Sequence, residues 1–167
     1  MKNLLFSLFT VASLLPLASF ADPNMDTGKL DNPVSADAAF IPARLLFGTH
    51  INDAILQKIG CKYFIDGPDK SFQLLKILLT ARDLPQDQLI SRKKFEVRNK
   101  IIFHFKNSED VSVEFGQKFL NQPYVNATWN TQPILLRDEV VAEIREVIKG
   151  GKFAQINEHA SSPCDLL

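Results

Sequence analysis

Neither sign of charge dominates this chain: 19 basic and 19 acidic side chains in 167 residues leave it formally neutral. A protein that grips nucleic acid or an anionic membrane surface needs a basic field, and this composition excludes one. Glycine is scarce. The seven glycines form neither a phosphate-cradling loop nor the G-x-S-x-G elbow of a serine hydrolase, and Gly150-Gly151 reads as a helix stop. The three histidines, His50, His104 and His159, are far apart, and none lies beside a cysteine. Zinc needs ligands at i and i+4 on a helix or in tight pairs, so no metal site is expected, and no cofactor. Glu96, Asp110 and Glu114 alternate with basic residues, the pattern of a screened, solvated face rather than of a catalytic carboxylate pair. Catalysis is therefore not expected, although a carboxylate pair assembled only in space would be invisible in sequence.

There are only two cysteines, Cys61 and Cys164, the second three residues from the last. Their meaning depends on the first residues. Lys2 precedes an apolar run from Leu4 to Leu17, and Ser19-Phe20-Ala21 then offers a small-x-small site before a polar DPN. This is the layout of a secretory signal. The run is broken by Ser7, Thr10, Ser13 and Pro16 and falls short of the roughly 20 apolar residues of a membrane span. Export to a periplasm or the extracellular space is expected, with cleavage near Ala21 and no stable membrane anchor. In such a compartment two distant cysteines are most simply one disulfide, tying the tail to the body of the fold. The single sequon, Asn126-Ala127-Thr128, would matter only in a eukaryotic secretory pathway.

Residues 22–39 have little apolar content and no period and read as a flexible leader, which places one α+β domain at 40–167. Residues 43–50 suggest a first strand. Asn52 can cap a helix near 53–59 that Gly60 closes, and Cys61 to Asp66 alternates as a strand. Beyond Gly67-Pro68, capped by Asp66 or Asp69, a helix near 68–82 carries Phe72, Leu75 and Leu79 as a stripe widened by Leu74 and Leu78. From 94 to 106 the apolar residues Phe95, Val97, Ile101, Phe103 and Phe105 are odd-numbered, while Glu96, Arg98, Lys100, His104 and Lys106 are even, a period of two. Strands near 110–117 and 123–130 repeat that rhythm. Together they form an antiparallel meander within a sheet of three to five strands. Pairing Phe105 with Val111 and Phe115 with Val125 brings every inward residue opposite another. Val140, Val141, Ile144, Val147 and Ile148 mark a helix near 135–149. The helices are expected mainly on one face, with Trp129 buried beneath the last.

The even-numbered face of this meander carries Arg98, Ile102, His104, Glu114, Tyr124 and Asn126. An exposed tyrosine or arginine among polar residues is the composition of a binding surface, with Tyr124 and Arg98 as anchors. The competing explanation is a merely wet face, or one covered by the leader. The expected function is that of an exported protein acting by contact with a protein partner in its own compartment, as an inhibitor or toxin-neutralising protein does. A carrier of a small ligand is the alternative, and a small secreted hydrolase stands behind both.

Overall fold

The structure is a computed structural model that describes residues 31–42, 50–82, 95–117, 122–151, 154–155 and 164. All belong to the unit running from Asp31 to Leu167. In chain order the elements are β1 (Ser35–Phe40), α1 (Asp53–Ile59), β2 (Cys61–Asp66), α2 (Pro68–Ala81), β3 (Asn99–His104), β4 (Val111–Phe115), β5 (Tyr124–Trp129), β6 (Gln132–Arg137), α3 (Val140–Gly151) and the two-residue β7 (Ala154–Gln155). One antiparallel sheet runs β6-β5-β4-β3-β1-β2-β7, six full strands with a short seventh at the edge. The fold class is α+β as expected, and the sheet is wider than the three to five strands read from the sequence.

Period-two alternation sets the layers. Ile101, Phe103, Val111, Val113, Phe115, Ala127 and Trp129 are all buried, and the pairing carries the same face across Ala36, Ala38 and Phe40 to Cys61, Tyr63 and Ile65. Helix α2 packs against β1, β2, β6 and α3, burying Leu74, Leu75 and Leu78, while α3 buries Val140, Ile144 and Ile148. These helices close the dry face. Helix α1 lies at one end of the other face, where Ala39, Ile41, Ile51 and Leu56 form a small second core. Asn52 caps α1 by accepting the Ile55 N–H at 3.0 Å, as expected. Gly60 stands at the C-cap with an extended backbone, and its N–H returns to the Leu56 carbonyl. Glycine is required there by proximity: a Cβ would fall 2.6 Å from the Leu56 oxygen.

Several expectations are corrected. Residues 35–39, read as leader, form most of β1, which is hydrogen-bonded between β2 and β3 in the middle of the sheet. Its alanines gave no strand signal, yet a central strand flanked by larger side chains has room for them. The signal segment 1–21, the leader to residue 30 and the candidate strand at 43–49 lie outside the described residues. Residues 135–137, read as the start of the last helix, belong instead to strand β6 (Gln132–Arg137). The two-residue turn Asn130-Thr131, both at positive φ, folds β6 back on β5. Neither Asp66 nor Asp69 caps α2; Gly67 takes that position without a side-chain bond, and Pro68 starts the helix. Phe72 is exposed, and the helix instead buries Ser71, whose hydroxyl donates to the Gly67 carbonyl at 2.9 Å.

The sheet register is shifted by two from the expected one. Phe103, not Phe105, faces Val111, and Trp129 pairs with Val113. An even shift preserves the faces, so every parity assignment survives. Asn99, polar but on the inward parity, is buried because its amide donates to the carbonyls of Phe115 and Gly116, at 3.3 and 2.8 Å. Trp129 is 1 % exposed, with the Arg82 guanidinium from the end of α2 5.6 Å from its ring centroid. Cys61 and Cys164 are bonded, with Cα atoms 5.6 Å apart.

Candidate functional site

The face of the sheet opposite α2 and α3 is organised in cross-strand rows. One reads Lys62, Ala39, Lys100, Glu114, Thr128; the next reads Phe64, Asp37, Ile102, Ser112. A small residue between two long ones leaves a depression, and Ala39 between Lys62 and Lys100 does so. Gln57 of α1 closes it from above. The resulting recess, about 210 Å³, is lined by Asp37, Ala39, Gln57, Lys62, Lys100 and Ile102 among others. Its floor is apolar and its rim carries both signs of charge.

The rim is held rigid. Lys100 Nζ lies 2.9 Å from Asp53 on the first turn of α1 and 3.0 Å from Glu114 on β4. Burial disfavours the charged form of Lys100, but the bonds and charges of these two acids outweigh it and raise its pKa above 10.5. The ammonium therefore pins α1 to the sheet. A second strut stands at the opposite end of the face. His104 Nδ1 is 2.7 Å from Asp110 in the β3–β4 turn, and Nε2 is 3.0 Å from Asp37 on β1. Partial burial opposes protonation of this ring; the two carboxylates overcome it and raise the pKa above 6.5. With both nitrogens engaged by carboxylates, this imidazole ties β1 to the β3–β4 turn across the face. Among the described residues no group of three or more His, Cys, Asp or Glu side chains is placed to hold a metal ion.

Of the residues proposed from the sequence, Ile102, His104 and Glu114 fall together on this face, half-buried. Tyr124 and Asn126 lie on the same face of β5, nearer the β6 edge, where they pair with Arg137 and Leu135. Arg98 is corrected: it is 5 % exposed and its guanidinium is engaged by Glu96 at 3.0 Å, so it cannot serve as an exposed anchor. Parity alone placed it outward, and parity does not determine exposure. Sequence reasoning missed Phe64, 38 % exposed in the row that holds Asp37 and Ile102. Its signal was present in CKYFID, where Phe64 has the opposite parity from Cys61, Tyr63 and Ile65. The recess residues Asp37, Gln57, Lys62 and Lys100 had no local signal, because β1 and α1 join them only in space.

No known protein-family model, curated protein or solved structure matches the chain.

Proposed function

We propose that this chain is an exported, non-catalytic binding protein that engages a protein partner in its own compartment through the sheet face opposite α2 and α3. The observation that carries this reading is the exposed Phe64, paired with Asp37 at the edge of the recess over Ala39, on a face braced by Lys100 and His104. An aromatic anchor next to a recess within a rigid polar rim is the composition of an interface hot spot. Pre-organised side chains lose little entropy on docking, which favours the role of an inhibitor or neutralising protein.

Export supports the same reading. Residues 1–21 act as a cleaved signal, and the Cys61–Cys164 bond fits a chain that matures in an oxidising compartment. No helix among the described residues is long and apolar enough to cross a membrane. The recess supplies a second reading, a carrier of a small ligand, with an apolar floor and a polar rim but a volume of about 210 Å³, below the roughly 300–1,000 Å³ of most ligand pockets.

The test is affinity recovery. The mature chain, its N-terminus verified at residue 22 by mass spectrometry, is immobilised and challenged with extract of its native compartment. A single protein retained in stoichiometric amount and competed off by free mature chain is the expected result. A small molecule co-purifying without any protein would favour the carrier, and turnover of ester, peptide or glycan substrates would overturn both.

A further inference from the structure

On the opposite side of the sheet, α3 carries a cation that no described acid pairs. Arg145 is half-buried, and its Nη2 donates to the Ile41 carbonyl at 3.1 Å, just beyond the end of β1. Its Nε is buried and has no hydrogen-bond partner among the described residues. Among the described residues no carboxylate pairs with it, whereas Arg98 holds Glu96 and Lys100 holds both Asp53 and Glu114. Burial pushes its pKa below the usual arginine value, and Tyr63, on the inward face of β2, opposes that shift only in part. Removing a guanidinium from water without a counter-charge is costly, and a protein retains such an arrangement at a cost to its own stability. One carbonyl uses one of five donors. The others suit an oxyanion, because the planar guanidinium presents paired N–H groups at the spacing of carboxylate and phosphate oxygens.

We infer that Arg145, at the junction of α3 with the end of β1 and beside Tyr63, is a binding position for a single oxyanion group, a carboxylate or a phosphate. This position is separate from the face proposed above for the protein partner, and either can fail without the other. Binding there would neutralise the desolvated cation and clamp α3 to β1, the strand that joins the two halves of the sheet.

The experiment titrates the mature protein with inorganic phosphate and, separately, with acetate, at ionic strength held constant with chloride. Two signals are followed: the thermal midpoint, and the ¹H–¹⁵N resonance of the Arg145 Nε–H. A ligand that binds only the folded state raises the midpoint saturably. The expected result is a saturable shift of both signals with at least one anion, whichever responds more strongly identifying the class. In Arg145→Met the apparent affinity should fall at least about tenfold, roughly 1.4 kcal/mol. Lys149→Met, at an exposed lysine of the same helix that pairs with Glu146, should respond as the wild type does. Should Arg145→Met not fold, the Nε–H titration of the wild-type chain decides the matter alone. Absence of a saturable Nε–H shift with both anions overturns the proposal, as does a midpoint response that persists in Arg145→Met.

Discussion

Replacing Cys164 with alanine severs a covalent tie between residues 103 positions apart. In the chain-entropy treatment, freeing a loop of that length adds about 4.7 kcal/mol of entropy to the unfolded state. The native state loses little besides. Cys164 is buried, but removing its sulfur costs on the order of 1 kcal/mol of contact. Against the roughly 5–15 kcal/mol that stabilises a typical domain, the variant should lose a third or more of its stability. Urea unfolding reads this directly. With an m-value of roughly 1–3 kcal/mol/M, the midpoint should fall by about 1.6 to 4.7 M. Reductant should lower the wild-type midpoint to near that of the variant and leave the variant unmoved. Cys61→Ala should be the less stable of the two single variants, since Cys61 is completely buried on the inner face of β2 and its loss also opens a void. A Cys164→Ala midpoint corresponding to a loss of less than about 1 kcal/mol would refute the reasoning, showing that the tie restrains little of the unfolded chain.

Gly60→Ala should lower stability by roughly 1–3 kcal/mol in thermal unfolding, because the new Cβ meets the Leu56 carbonyl, a backbone atom that cannot step aside; an unchanged midpoint would contradict it. His104→Asn should destabilise most at low pH. The folded-state pKa of His104 is raised above 6.5, so its contribution is complete below that value and fades as pH rises through the folded one. Urea melts of both proteins from acid to alkaline pH should therefore converge, and a gap that widens toward alkaline pH goes against the two-carboxylate strut. Trp129 should emit at short wavelength and resist iodide quenching in the native state, whereas free quenching would mean that its strand presents the other face.

Signals confined to one element were legible in the sequence. Asn52 announces α1, the odd-numbered apolar residues announce the dry face of β3, and the two cysteines announce their bond. What escaped depends on neighbours. β1 is spelled SADAAF, with little apolar bulk, and becomes a core strand only because β2 and β3 enclose it on both sides. Only Asp138 and Glu139 separate β6 from α3, and the turn before β6 uses Asn130-Thr131 without the glycine that usually marks such turns. The two-residue register shift arises in both the β3–β4 and the β4–β5 pairings, each connection closing two residues wider than expected, with Asp110 in the first reaching back to His104. At the candidate site, parity found Ile102, His104 and Glu114 but assigned Arg98 to solvent, because parity reports direction and not what lies in that direction. The recess needed β1 and α1 to be placed, so no local pattern could have indicated it.

The protein offers a matched pair of phenylalanines for the decisive measurement. Phe64 is 38 % exposed on the proposed binding face and Phe72 is 42 % exposed on α2, in the helical layer that covers the other face. With the partner recovered by the immobilised mature chain, the dissociation constants of Phe64→Ala and Phe72→Ala are compared with that of the wild type. The account predicts at least about a tenfold loss for Phe64→Ala, equivalent to 1.4 kcal/mol, and no change for Phe72→Ala. Equal affinities in all three proteins, or a loss confined to Phe72→Ala, would contradict it.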